Sequence, residues 1–126
     1  MIGFPKPIRA KKFKIANYIL RGSKYNNIPS QYKGRTYHSR LEAEYAIILD
    51  DMIKHKEIKS WVPQFPMKLE VNGKKIATYI ADFLVTMPDG SQQIHETKGY
   101  FSSPSRIKWK LAEALYGQKY RFVLIR

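Results

Sequence analysis

Asp82, Glu96 and Lys98 are acid and base groups of the types used in hydrolytic chemistry, and the turn between them brings them together. Met87-Pro88-Asp89-Gly90-Ser91 suits a three-residue hairpin loop in which a type I turn is followed by Gly90 in the left-handed conformation, with Met87 opposite Ser91. Opposed residue numbers in that antiparallel ladder sum to 178, which sets Asp82 across from Glu96. Lys98 lies two residues on from Glu96, so its side chain leaves the same face, opposite Ile80. Like charges facing each other across neighbouring strands are destabilising, and neighbouring carboxylates resist ionising together unless something offsets them. One lysine does not neutralise two acids. A hard divalent cation would, and Mg²⁺ is typically held by one or two carboxylates while it keeps waters and takes phosphate oxygens. Tyr79-Ile80-Ala81 before Asp82 and Phe83-Leu84-Val85 after it make this an acid within a mostly core strand. The alternative for the same residues is a partly buried ion pair of Lys98 with one acid, the other lying near the sheet edge or displaced by a bulge.

These side chains need a frame of strands and helices. Leu41, Tyr45, Ile48, Leu49 and Met52 recur at helical spacing, and Ser39 with Glu42 three residues later has the capping-box arrangement, so a helix is expected over about 40 to 55. Ile58 to Phe65 and Met67 to Val71 are expected as strands, followed by a two-residue hairpin turn at Asn72-Gly73. Lys75 to Met87 and Ser91 to Lys98 form the next two strands. A second helix runs from Pro104 to Tyr116, opened by Ser103 and closed by Gly117, with Ile107, Leu111 and Leu115 as its packing stripe on the sheet. Tyr120 to Ile125 is the last strand. The order is helix, three strands in a meander, helix, strand, which is an α/β class with a mixed sheet flanked by helices. Glu42 and Glu44 flank the apolar stripe of the first helix from opposite sides, and the helical wheel does not choose between them. Counted from Asn72-Gly73, opposed numbers sum to 145, so Gln64 faces Ala81 and points away from Asp82 unless a bulge at Pro63 or Pro66 restores it.

The chain has 126 residues, 23 Lys+Arg against 10 Asp+Glu, a formal charge of +13 and a pI near 10.0. Such an excess points to a polyanionic partner, nucleic acid first. Glu42 is the first acidic residue, so residues 1–41 hold ten Lys or Arg and no carboxylate. Residues 1–36 are expected as a basic arm, with a short helical or hooked piece near Phe13 to Leu20, and residues 37–126 as a single core domain. Hydrophobic content of 44% excludes disorder of the whole chain. With no cysteine there is no disulfide scaffold and no thiolate metal site, in keeping with a reducing, cytoplasmic setting. No apolar stretch is long enough for a signal-peptide core or a membrane span. Lys33, Arg35, Arg40, Arg106, Lys108 and Lys110 are candidates to hold a phosphate backbone, which supplies salt-sensitive, sequence-independent affinity. Tyr100 and Phe101 have faces suited to stacking on unpaired bases, whereas Trp109 is expected in the core. His38, His55 and His95 have no common metal-ligand spacing, and His95 should point to the sheet face opposite Glu96.

Taken together, an Asp ending an apolar strand, 13 intervening residues and then Glu96-Thr97-Lys98, with a Glu-bearing helix before and a helix and strand after, resemble the PD-(D/E)XK nuclease superfamily and its αβββαβ core. Tyr37-His38-Ser39-Arg40-Leu41-Glu42-Ala43-Glu44, Ile58-Lys59-Ser60-Trp61-Val62-Pro63-Gln64, Tyr79-Ile80-Ala81-Asp82-Phe83, Glu96-Thr97-Lys98-Gly99-Tyr100 and Ile107-Lys108-Trp109-Lys110-Leu111 are similar to a small family of such nucleases. That family occurs mainly in phages and prophages and is related to Holliday-junction resolvases. The resemblance spans about residues 24 to 126. It implies that Asp82 and Glu96 bind Mg²⁺, with Mn²⁺ able to substitute, that Glu42 is the third acid, and that Lys98 orients and activates the attacking water. It further implies a role for Gln64 in framing the site, branched DNA as substrate, a homodimer with two active sites, and the cytoplasm of a bacterial host if the protein is phage-encoded. Ala81 stands where the superfamily's motif has Pro. Other nucleases share this core, including nicking, repair, restriction and transposon-end enzymes, and a non-catalytic basic nucleic-acid-binding protein would show the same charge.

Overall fold

The computed structural model describes residues 11–13, 31–37, 39–98 and 101–126. In chain order the elements are β1 (Lys11–Phe13), β2 (Gln31–Tyr32), β3 (Arg35–Thr36), α1 (Arg40–Lys54), β4 (Ser60–Val71), β5 (Lys74–Thr86), β6 (Gln92–Thr97), α2 (Ser103–Tyr116) and β7 (Arg121–Ile125). Five strands form one mixed sheet in the order β1-β7-β6-β5-β4, while β2 and β3 pair separately. The pairs β4–β5 and β5–β6 are antiparallel; β6–β7 and β1–β7 are parallel.

Period-2 alternation divides the core into two layers. On β7, Val123 and Ile125 join Tyr45, Ile48 and Leu49 of α1, whereas Phe122 and Leu124 join Trp109 and Ala112 of α2. The helices therefore cover opposite faces of the sheet. Phe83 is completely buried on the α1 side against the rings of Tyr37, Tyr45 and Trp61.

Local sequence fixes most element ends. Ser39 Oγ accepts the amide of Glu42 at 3.1 Å and starts α1 as expected. The second helix starts one residue earlier than expected, because Ser102 rather than Ser103 is its cap and accepts from Ser105 N, leaving Ser103 and Pro104 in the first turn. Gly117 closes it. Asn72 and Gly73 have φ of 51° and 77°, the paired left-handed conformation of a tight hairpin. Gly90, at φ 91°, ends the second loop, with Met87 N bonded to Ser91 O at 2.8 Å. The two strands expected on either side of Pro66 are one strand, β4. This is possible because β4 is an edge, where a residue lacking an N–H costs no ladder bond.

Of the stripe Ile107, Leu111, Leu115, only Leu111 packs against the core of the α2 side, and it does so half-buried. Ile107 is 65% and Leu115 40% exposed, while Trp109 and Ala112 are buried. Trp109 decides the rotation: its ring meets Phe122 edge-on at 5.3 Å and Tyr79 at 6.2 Å, and burying an indole outweighs burying aliphatic side chains at the neighbouring positions.

Two pieces of the segment read as a basic arm join the folded core. β1 runs parallel to β7, with Lys11 opposite Val123 and Phe13 opposite Ile125. The β2–β3 hairpin is pinned to α1 through Asp50, whose Oδ2 accepts from Tyr32 OH at 2.7 Å and sits 2.9 Å from Lys33 Nζ, while Oδ1 accepts from Trp61 Nε1. Burial alone would raise the pKa of Asp50, but these three donors outweigh it and hold the carboxyl below its ordinary range. Of the hooked piece expected near Phe13 to Leu20, Phe13 is in β1 and residues 14–20 lie outside the described residues. No helix among the described residues is long and apolar enough to cross a membrane.

Candidate active site

The hairpin register is the one expected from the Pro88-Asp89-Gly90 loop: Phe83 faces His95, Leu84 Ile94, Val85 Gln93 and Thr86 Gln92. One step further, Asp82 and Glu96 come side by side. The regular ladder stops there because Asp82 takes over as acceptor, its Oδ2 receiving Thr97 N at 2.9 Å and Thr97 Oγ1 at 2.8 Å. The buried carboxylate thus has fixed donors and a fixed direction.

Gln64 is brought to the same level, which corrects its expected place opposite Ala81. The register starts at Asn72-Gly73 as counted, but shifts by one between Leu69 and Glu70, so that Phe65 rather than Gln64 pairs with Ala81. The bulge lies at the hairpin tip and not at the prolines. Gln64 adopts φ 53°, a left-handed conformation unfavourable for a side-chain-bearing residue, and such strain tends to gather at functional sites. Its Nε2 donates to Glu42 Oε1 at 2.9 Å. Glu42, 3% exposed, is thus a buried acid that holds the Gln64 amide. Among the described residues no group of three or more His, Asp and Glu side chains is arranged to hold a metal ion; of the expected trio, Asp82 and Glu96 are neighbours across the β5–β6 ladder and Glu42 is linked to the site through Gln64.

Glu96 is 3% exposed. Burial first, and then the charge of Asp82, push its pKa up to about 8, against the opposing pull of the Tyr79 hydroxyl and of Lys98. Lys98 Nζ lies 3.9 Å from Glu96 Oε1. Tyr79 OH donates to Glu96 Oε2, and the Tyr79 ring leans on Trp109, which ties the acid to α2. Burial and the charge of Glu96 hold the Tyr79 phenol protonated, far above the ordinary range, so it stays a donor. Tyr79 was not evident from sequence, where it reads as one more apolar neighbour of Asp82. Odd-numbered Phe83 and Val85 face α1, but odd-numbered Tyr79 and Ala81 belong to the α2 cluster, and this change of face opposite Gln64 turns Tyr79 toward Glu96.

These groups line an open cavity of about 290 Å³ with Asp82, Glu96, Lys98 and Gln64 in its wall. Of the candidate cations on α2, only Lys108 reaches it. Arg106 and Lys110 are exposed and lie about 160° around the helix from Lys108. Lys33 is engaged by Asp50, Arg35 lies 5.9 Å from the Tyr37 ring centroid, and Arg40 is the exposed first residue of α1. Phe101 is half-buried against Trp109, with ring centroids 6.1 Å apart. Tyr100 and His38 lie outside the described residues. His95 points to the α1 face as expected, sharing hydrogen bonds with Tyr45 OH and Gln93 Oε1, and burial lowers its pKa to about 3. His55 is bonded to Asp51 O at the end of α1.

The pair fits a hard divalent cation. Both donors are carboxylates held side by side by the fold, and Glu96 is pushed toward neutrality by burial first and then by the charge of Asp82, a cost that a bound cation would offset.

No curated protein and no solved structure matches the chain. Residues 22–125 match the family described as "Protein of unknown function (DUF1064)", a span that takes in α1, α2 and every strand except β1. The chain belongs to this family.

Proposed function

We propose that this chain is a divalent-cation-dependent DNA endonuclease with a PD-(D/E)XK-type core, acting on branched DNA in the manner of a junction resolvase. The observation that carries the reading is the buried carboxylate pair Asp82–Glu96 with Lys98 beside it, in a cavity open to solvent. The order of helix, three antiparallel strands, helix and parallel strand supports a restriction-endonuclease-like core. The charge of +13 supports a polyanionic substrate.

Asp82 and Glu96 would hold Mg²⁺, with Mn²⁺ able to replace it, and the cation would supply charge to polarise the phosphodiester and acidify a water. Thr97 fixes Asp82, and Tyr79 fixes Glu96. Lys98 Nζ, three N–H donors on a flexible stem, orients the attacking water and faces the negative charge that develops on the phosphate oxygens. Water oxygen bonds to phosphorus as the P–O bond to one sugar breaks; the water gives up a proton to solvent and the leaving oxygen takes one. Lys108 holds the adjoining backbone. Glu42 acts through Gln64 as a positioning residue. Paired cuts across a branch require two such sites, and hence a homodimer.

The test is to incubate the purified chain, with Mg²⁺ and in parallel with EDTA, with one sequence prepared as linear duplex, single strand, flap and four-way junction. Cutting that needs Mg²⁺ and is fastest on the branched forms is the expected result. Equal rates on all forms would remove the branch selectivity, and no Mg²⁺-dependent cutting of any form would remove the endonuclease.

A further inference from the structure

The cavity has a second half that metal chemistry does not use. Ile80 and Phe101 form an apolar part of the wall around Asp82, Glu96 and Lys98, with the hydroxyl-bearing Thr78 and Ser105 also lining it. Ile80 is 52% exposed, a large β-branched side chain left open to solvent beside buried acids. The half-buried Phe101 ring packs against Trp109, with centroids 6.1 Å apart and an interplanar angle of 36°. A phosphate backbone presents charged oxygens, which gain nothing from isoleucine or phenylalanine. The face of a base does gain, and stacking on an aromatic ring is the usual way in which unpaired bases are held. Within continuous duplex that face is covered by the neighbouring bases.

We infer that Ile80 and Phe101 form a subsite for one unpaired base next to the phosphate handled by Asp82, Glu96 and Lys98, so that the substrate is DNA with an unpaired nucleotide at the cleavage point. This rests on the nuclease reading for the identity of the polymer. Lys108 in the same wall suits the phosphate of the next nucleotide, and the hydroxyls of Thr78 and Ser105 suit base-edge donors and acceptors without selecting one base. Selectivity for branched DNA then comes from bases exposed where helices meet, and a flap or bulge serves as well as a four-way centre.

Binding without Mg²⁺ separates this claim from catalysis. Fluorescence anisotropy compares one labelled duplex bearing a single unpaired thymine with the same duplex carrying an abasic residue at that place. The chain is expected to bind the thymine form about tenfold more tightly. Phe101→Leu, which keeps apolar packing against Trp109 but has no planar face, and Ile80→Ala, at an exposed position, are each expected to shrink that difference. Equal affinity of the intact chain for the two duplexes, or full discrimination in both variants, would overturn the subsite. Neither result depends on whether the chain cuts DNA, so failure of the endonuclease shows in the cleavage panel and failure of the subsite shows here.

Discussion

Glu96→Gln is expected to make the metal-free protein more stable and to abolish Mg²⁺-dependent cleavage. Glu96 has a folded-state pKa of about 8 against an ordinary 4.5, chiefly through burial and then through Asp82. A raised acid contributes stability that is fully present below 4.5 and is lost as pH rises through about 8, because the unfolded chain releases that proton more readily. Relative to the glutamine variant, the metal-free parent should therefore weaken across this interval. At about 1.4 kcal/mol per unit, discounted for relaxation of the pair, the gain at pH 8 is about 2 kcal/mol, or roughly 6–10 °C in Tm. The amide still accepts from Tyr79 and can donate to Asp82, so no buried group loses its partner. His95, lowered to about 3, has the opposite sign: its contribution is present above 6.5 and lost as pH falls, equally in both proteins, so it cancels in the difference. Saturating Mg²⁺ should reverse the order by stabilising only the parent. Thermal denaturation at pH 5 and pH 8, with and without Mg²⁺, reads all of this, and a variant less stable than the parent at pH 8 without metal would contradict the repulsion.

The largest loss of stability is expected at Phe83→Ala. Phe83 is fully buried, with ring centroids 5.4 Å from Trp61, 5.6 Å from Tyr45 and 6.2 Å from Tyr37, so its removal opens a cavity that α1, β4 and β5 all border. The cost is about 3–5 kcal/mol, a fall in Tm of roughly 10–20 °C. Ile107→Ala, at an exposed position of α2, should change stability by less than about 0.5 kcal/mol. Denaturant midpoints for the two variants decide which face of α2 packs: comparable losses would return Ile107 to the core.

What could be read from the residues alone follows from how local each cause is. The Pro88-Asp89-Gly90 loop fixes the β5–β6 register within a few residues, so the meeting of Asp82 with Glu96 follows from counting. Ser39 caps α1 through a contact three residues away. Nothing in the residues at the hairpin tip marks the shift between Leu69 and Glu70, and without it Gln64 is misplaced; the change of face between Ala81 and Phe83, which takes Tyr79 out of the ordinary core, is likewise unmarked. The face of α2 is similarly undetermined locally, since Ile107, Leu111 and Leu115 have the same helical spacing as the Trp109 side. Trp109 prevails through contacts with Tyr79 and Phe122, which are distant in sequence. The pairing of β1 with β7 joins the two ends of the chain, and a run of lysines gives no sign of it.

Asp82→Asn separates a role of Asp82 in DNA cleavage from a role in the fold alone. The amide oxygen can still accept from Thr97, so the ladder end is preserved while the carboxylate charge is removed. The decisive measurement follows Mg²⁺-dependent cleavage of a four-way junction by the parent and the variant, with binding of the same DNA measured alongside. Cleavage by the parent only, with similar binding by both, is the expected result. Cleavage by Asp82→Asn at the parental rate, or none by the parent under any divalent cation, would contradict it.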